Sequence, residues 1–142
     1  MNKNYFFNKF IGILTKKGFK IKAKTILNSA FMLISRKTRL SNRRVLLKIF
    51  KKLSTFVEIK KIRVRKRIVY VPFYINYNRR MYLIIKWIML AVKSDKRKIP
   101  LKNKIASEFM SILKNKSSKA MRSKKANISM VLSNRSNTHF RW

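Results

Sequence analysis

Residues 56–75 read FVEIKKIRVRKRIVYVPFYI. The segment is rich in Val, Ile, Tyr and Arg, and its apolar residues alternate in part with polar ones. This is the chemistry of strands, whose side chains point to opposite faces with a period of two. It is read as two strands folded around a basic tip, where Arg63, Arg65, Lys66 and Arg67 fall between positions 63 and 67. Pro72 cannot donate a hydrogen bond to a ladder, so it suits an edge strand, and a lone two-stranded ribbon consists only of edges.

Outward from this ribbon the pattern is helical, and Gly and Pro, the usual punctuation of many-stranded folds, number only 2 each. Phe6, Phe7, Phe10, Ile11, Ile13 and Leu14 precede Gly18, which predicts a first helix over roughly 4–17 ending at that glycine. Ala23, Ile26, Leu27, Ala30, Phe31 and Ile34 recur at helical spacing over roughly 20–35. Ser41 or Asn42 can cap a helix over roughly 42–53, whose apolar face is Val45, Leu46, Ile49, Phe50 and Leu53. Beyond the ribbon, Asn78 can cap a helix over roughly 78–93 with Met81, Ile84, Ile85, Ile88, Met89 and Val92 inward, and Trp87 among them as a core residue. Pro100 opens a helix over roughly 100–115 with Leu101, Ile105, Phe109, Ile112 and Leu113 inward. A further helix is expected over roughly 118–133, and an irregular tail over 134–142. The expectation is a mainly α fold, one domain over residues 1–142: a bundle of about six helices with a protruding two-stranded β-hairpin arm between the third and fourth.

Charge dominates the chemistry. The chain carries 38 Lys plus Arg against 3 Asp plus Glu, a formal charge of +35. Glu58, Asp95 and Glu108 cannot neutralise this internally, so the counter-charge is expected from outside, from a polyanion. The basic residues are spread along the whole chain rather than gathered on one amphipathic helix, which favours nucleic acid over a membrane surface. Lysines and arginines neutralise phosphates and release counterions, giving affinity with little sequence readout. Arg79 and Arg80 fall in the first turn of the expected fourth helix, where cations oppose the helix dipole at a cost of ~0.3–1 kcal/mol each. Phosphate contact is the natural reason for keeping them there.

The inventory for catalysis is thin. There is no Cys, a single His (His139) and three carboxylates far apart in sequence. Acid–base, thiolate and metal chemistry therefore have little to work with, and no glycine-rich phosphate loop is present. No enzyme activity, cofactor, metal or small-molecule substrate is expected. The longest apolar stretch, Met81 to Val92, is interrupted by Lys86 and falls short of the ~20 residues of a membrane span. The first residues, MNKNYFFNKF, lack an uninterrupted apolar core and a small-residue cleavage site, so no secretory leader is expected. Two other readings stay open on charge alone: a DNA-compacting architectural protein, although such arms carry an apolar wedge at the tip and this one carries cations, and a membrane-active cationic protein.

Four blocks carry a resemblance to a known family. THFRW, Thr138 to Trp142, looks like a C-terminal signature of His, aromatic, Arg and Trp, and Ser133-Asn134-Arg135-Ser136 precedes it. KFIGILTKKGFKIKAKTILNSA, with Gly18, Lys20, Ala23, Ile26 and Ala30, resembles a first conserved block. VEIKKIRVRKRIVYVPFYI resembles a β-arm, including Val57-Glu58 and Val71-Pro72, and Arg79, Arg80 and Trp87 match the helix after it. In this order and at near-gapless spacing, the blocks resemble the seventh protein of the small ribosomal subunit, bacterial and organellar type, and the tail is nearest to mitochondrial forms. Arg65 and Lys66 stand where the family usually has two glycines, and the family's longer basic N-terminal extension is mostly missing.

The resemblance implies a primary binder of the 3′ major domain of small-subunit rRNA. Such a protein nucleates assembly of the head and lies beside the messenger exit channel, with its arm near exit-site tRNA and small-subunit protein eleven as a neighbour. The residues expected at rRNA are Lys17, Lys20, Lys22, Arg79, Arg80, Lys116, Lys119, Arg122, Lys124, Lys125, Arg135 and Arg141. The arm tip, Arg63, Arg65, Lys66 and Arg67, is expected at rRNA, messenger or exit-site tRNA. Trp142 is suited either to stacking on a base or to packing on its own domain. Lys, Ile, Asn and Phe, with A/T-rich codons, are abundant while Gly and Pro are scarce. This suggests an A/T-rich genome, and with the tail it predicts an organellar ribosome, mitochondrial first and non-photosynthetic plastid second.

Overall fold

The computed structural model describes residues 3–141, so Trp142 lies outside the described residues. The elements run α1 (Lys3–Leu14), α2 (Lys20–Thr38), α3 (Asn42–Leu53), β1 (Val57–Val64), β2 (Arg67–Tyr74), α4 (Tyr77–Lys93), α5 (Leu101–Leu113), α6 (Lys119–Ser133) and a short 3₁₀ helix (Arg135–Phe140). The fold is mainly helical, with the antiparallel hairpin between α3 and α4 as expected.

Apolar residues at helical spacing account for the core. α1 presents Phe6, Phe10 and Leu14, and α2 presents Ala23, Leu27, Ala30, Phe31 and Ile34. α3 adds Val45, Leu46, Ile49 and Leu53. α4 is apolar on most of its surface and lies at the centre, where Met81, Ile84, Ile85, Ile88 and Trp87 are buried. Five phenylalanines tie the helices together. Phe109 of α5 meets Phe10 of α1 edge-on at 6.1 Å and Phe31 of α2 at 5.5 Å, and Phe6 meets Phe50 of α3 edge-on at 6.5 Å. Each fully buried large apolar side chain contributes about 1.5–3 kcal/mol, and edge-to-face ring pairs add to that. No helix among the described residues is long and apolar enough to cross a membrane.

Helix ends differ from the sequence reading in four places. α1 stops at Leu14 rather than running to Gly18. The chain then makes a tight turn in which Phe19 N–H donates to Lys16 O at 3.1 Å, with Lys17 and Gly18 both at positive φ (50° and 79°). Gly18 therefore serves a turn centre and is not a helix cap. α4 begins one turn-edge earlier, with Asn76 rather than Asn78 at its N-cap. Leu101, expected inward, is 38 % exposed, because it is the first residue of α5 and has no preceding turn to pack beside. The tail is not irregular: Arg135–Phe140 is helical and lies against β2.

The ribbon closes through a two-residue loop, Arg65–Lys66, since Val64 pairs with Arg67. Ile59 faces Pro72, and the Pro72 carbonyl points to the outer edge, where the Arg141 Nε donates to it at 2.6 Å. In an antiparallel strand a residue's N–H and C=O point the same way, so the missing N–H of Pro72 falls on that outer edge and no ladder bond is lost.

Candidate nucleic-acid interface

Three groups of cations stand clear of the body. The first is the arm tip. Arg63, Arg65, Lys66 and Arg67 are all exposed, and Arg63 Nε donates to Arg65 O at 3.3 Å across the turn. Strands of eight residues at about 3.3 Å per residue carry that tip to ~25 Å from its base. The ribbon is held on both edges, on the β2 side as far as its midpoint at Tyr70. Asn127 of α6 donates to Val57 O at 3.1 Å on the β1 side, while Asn137 donates to Tyr70 O at 3.1 Å and Arg141 to Pro72 O on the β2 side. Unpaired strand edges are thereby satisfied near the body, and the ribbon projects from a fixed root.

The second group is the turn between α1 and α2 with the start of α2. Lys16, Lys17, Lys20, Lys22 and Lys24 are exposed there, and the Lys22 ammonium lies 4.7 Å from the Phe19 ring centre. The third lies around the α5–α6 connection. Lys116 shares the rim of a cleft of about 610 Å³ with Lys37, Arg97 and Lys114, and Lys125 and Arg122 are exposed on α6. Arg122 donates to Ser117 Oγ at 2.6 Å. Arg135 is exposed at the start of the 3₁₀ helix.

Other expected RNA contacts are engaged within the protein. Arg79 makes a two-pronged ion pair with Glu58, Nε to Oε2 at 2.8 Å and the terminal nitrogen to Oε1 at 2.7 Å. Donating these hydrogen bonds to Glu58 raises the Arg79 pKa above its usual value, and about half of its side chain stays exposed. The Arg80 guanidinium lies 4.1 Å from the centre of the Phe56 ring, and its Nε is buried without a hydrogen-bond partner. Arg141 both bonds to Pro72 O and stacks over Tyr74 at 5.2 Å.

Lys119 and Lys124 belong to a set of lysines directed at main-chain carbonyls, several at helix C-termini. Lys119 Nζ donates to Ser94 O at 3.0 Å, just past α4. Lys124 Nζ donates to Lys52 O at 2.6 Å in the last turn of α3. Lys52 in turn donates to Ile112 O and Leu113 O, at 2.9 and 2.6 Å, at the end of α5. Lys104 donates to Asp95 O at 2.8 Å. Burial lowers the Lys124 pKa from its usual value. With so few carboxylates, the negative ends of helices serve as counter-charges. Sequence reasoning missed Lys52 because its partner carbonyls lie 60 and 61 residues away, and Lys104 because its partner is a main-chain carbonyl of the α4–α5 connection, which no side-chain pattern reveals. The carboxylates are used structurally as well. Glu108 accepts from Ser118 Oγ at 2.8 Å and from Ala120 N–H at 3.0 Å, capping α6 from α5.

A helical body with a rooted, cation-tipped ribbon and two further basic faces is an arrangement for gripping a folded polyanion. The profile of the family described as "Ribosomal protein S7p/S5e" matches residues 1–135. The chain belongs to the Ribosomal protein S7p/S5e family. It is similar to the "Small ribosomal subunit protein uS7" of Syntrophus aciditrophicus, 29% identical over 140 residues, covering 99% of this chain and 88% of that one. It is also similar to the protein of the same name from Leptospira biflexa, 30% identical over 95% of this chain and 85% of the other. The one from Desulfatibacillum aliphaticivorans is 27% identical over 94% and 85%. These relatives of the S7p/S5e chain are bacterial, which corrects the expectation of a mitochondrial or plastid ribosome. The residue bias behind that expectation reflects the base composition of a genome, and A/T-rich genomes are not confined to organelles.

Proposed function

We propose that this protein is a structural constituent of the small ribosomal subunit, holding small-subunit rRNA against preformed basic faces. The observation that supports this most directly is the set of exposed cation clusters at the α1–α2 turn, the α5–α6 connection and the ribbon tip, in a chain of a ribosomal-protein family with a charge of +35. RNA joints are recognised by shape, and Arg and Lys supply phosphate contacts without base readout. In the finer reading, the protein is a primary binder of the 3′ major (head) domain and nucleates head assembly. The body and the turn between α1 and α2 bind rRNA. The arm reaches the messenger exit channel and exit-site tRNA, beside small-subunit protein eleven. Residues 1–142 act as a single ribosomal-protein domain.

The test is chemical footprinting of the purified protein on its own small-subunit rRNA at two salt concentrations. Protection confined to the 3′ major domain and persisting at the higher salt is the expected result. Diffuse protection that disappears with salt would leave only a generic polycation and overturn the reading.

A further inference from the structure

Large apolar residues exposed on a folded surface are unremarkable when scattered singly. At the start of α2 they are not single. Phe19 is 56 % exposed and Ile21 is 81 % exposed, and neither belongs to the hydrophobic core nor packs against it. Beside them runs a groove of about 440 Å³ lined by Asn8, Ile11, Gly12, Lys20, Ile21 and Lys24. Its floor is open at Gly12, where an added Cβ would meet nothing within 4 Å. The turn that carries Phe19 outward is built from two successive positive-φ residues, Lys17 and Gly18, closed by the Phe19 N–H to Lys16 O bond. Holding a non-glycine residue in the left-handed region costs about 1–2 kcal/mol, so the chain accepts strain at Lys17 to hold an aromatic ring in solvent. Five lysines lie between positions 16 and 24 with no carboxylate among them, and the Lys22 ammonium stands 4.7 Å from the ring centre on one face, which leaves the other face for a ligand.

An exposed ring and an apolar groove rimmed by ammonium groups match one chemistry: an unpaired nucleotide whose base lies on the ring and whose phosphates meet the lysines. A protein partner presenting an apolar segment would have to cover five lysines as well, which requires an acidic partner. An RNA strand supplies both properties in every nucleotide. We propose that Phe19 is a stacking platform for an unpaired base of the bound RNA, with Lys20, Lys22 and Lys24 holding the flanking phosphates. The proposal rests on the RNA-binding reading above and adds to it a contact that is not electrostatic.

Stacking and phosphate neutralisation are separable by salt. Losing a lysine contact lowers the slope of log affinity against log salt by about 0.7–0.9, whereas losing a stacked ring lowers affinity at every salt concentration and leaves the slope unchanged. The experiment is a salt titration of binding to a 3′ major domain rRNA fragment by the wild-type chain, F19A, F19Y and K20A. F19A is expected to bind about 5- to 100-fold more weakly with an unaltered slope. F19Y is expected to restore affinity, and K20A to lower the slope. Ultraviolet crosslinking of the wild-type complex at zero length provides an independent readout, with a nucleotide expected on the tryptic peptide Gly18-Phe19-Lys20. Wild-type affinity in F19A, or a slope that falls as it does in K20A, overturns the proposal. If F19A fails to fold by circular dichroism, the crosslink decides, and its absence from that peptide overturns the proposal. Failure of the wild-type chain to protect any rRNA site would instead overturn the RNA-binding reading itself.

Discussion

Glu58 of β1 and Arg79 of α4 form a fork-to-fork ion pair, with both oxygens of the carboxylate bonded to two guanidinium nitrogens at 2.7 and 2.8 Å. The pair joins the root of the arm to the helix that runs through the core. Arg79 also lies 5.2 Å from the Tyr82 ring centre, and Arg80 next to it lies over Phe56. Of only three acidic side chains in the chain, one is committed to joining the arm to the body.

Glu58→Gln should therefore loosen the arm more than it destabilises the fold. An exposed ion pair is worth about 0–1 kcal/mol, and Arg79 is half exposed. The expected outcome is a small change in melting temperature with clearly faster amide exchange along residues 57–74. Unchanged exchange in the arm would show that the clamps from Asn127, Asn137 and Arg141 suffice on their own.

The arm tip stores strain that a glycine would relieve. Arg65 sits at φ 54° as the first residue of a two-residue hairpin loop, a position that favours glycine. Left-handed backbone costs a non-glycine residue about 1–2 kcal/mol, and a glycine returns about 0.4–1 kcal/mol of that as unfolded-chain entropy. Arg65→Gly should thus stabilise the hairpin by about 0.5–1 kcal/mol while removing a cation from the tip. A drop in thermal stability would mean that the turn is not the one described.

These two relationships mark what was legible in the sequence. Helical periodicity predicted the buried faces of α2, α3 and α4 nearly residue by residue, because burial of an amphipathic face writes itself into spacing. Val/Ile/Tyr content and Pro72 likewise marked the ribbon. The tail was missed because Asn137 and Arg141 are ordered by the outer edge of β2, some 67 and 69 residues away. Similarly, Arg79, Lys119 and Lys124 looked like free cations because their partners lie on other elements. Charge located the candidate faces. It could not separate cations facing outward from those capping helices.

Lys52→Met tests that separation. Lys52 is partly buried and holds two carbonyls at the end of α5, while its neighbour Lys51 is exposed. Charge-assisted bonds contribute about 1.5–3 kcal/mol, and an unsatisfied carbonyl left behind adds to the loss. Lys52→Met should destabilise by about 2 kcal/mol, and Lys51→Met by less than about 0.5 kcal/mol. Equal effects in thermal or denaturant unfolding would refute a capping role.

Replacing Arg65, Lys66 and Arg67 together by Ala should leave initial rRNA binding mostly intact, because the tip lies ~25 Å from the ribbon's root on the body. Contacts near exit-site tRNA should weaken. A footprint unchanged in that region of the assembled subunit would remove the arm from its proposed place.

The last prediction concerns the free chain. Only two ion pairs join side chains among the described residues, Glu58–Arg79 and Asp95–Arg97, and the Glu108 carboxylate is taken up by Ser118 and Ala120. A formal charge of +35 is otherwise uncompensated, so self-repulsion opposes the compact state until a polyanion or salt screens it. The Debye length falls from ~10 Å at 0.1 M to ~3 Å at 1 M, a range over which neighbouring lysines on one face cease to repel. Melting temperature should therefore rise with sodium chloride, by about 5 °C or more across that range, which corresponds to roughly 1–2 kcal/mol at this chain length. The sign is decisive. A chain held together by ion pairs would lose stability as salt screens them, whereas one that is held together by its apolar core against its own charge gains it. A melting temperature that falls with salt would place the stabilising interactions in the charges rather than in Phe6, Phe10, Phe31 and Phe109.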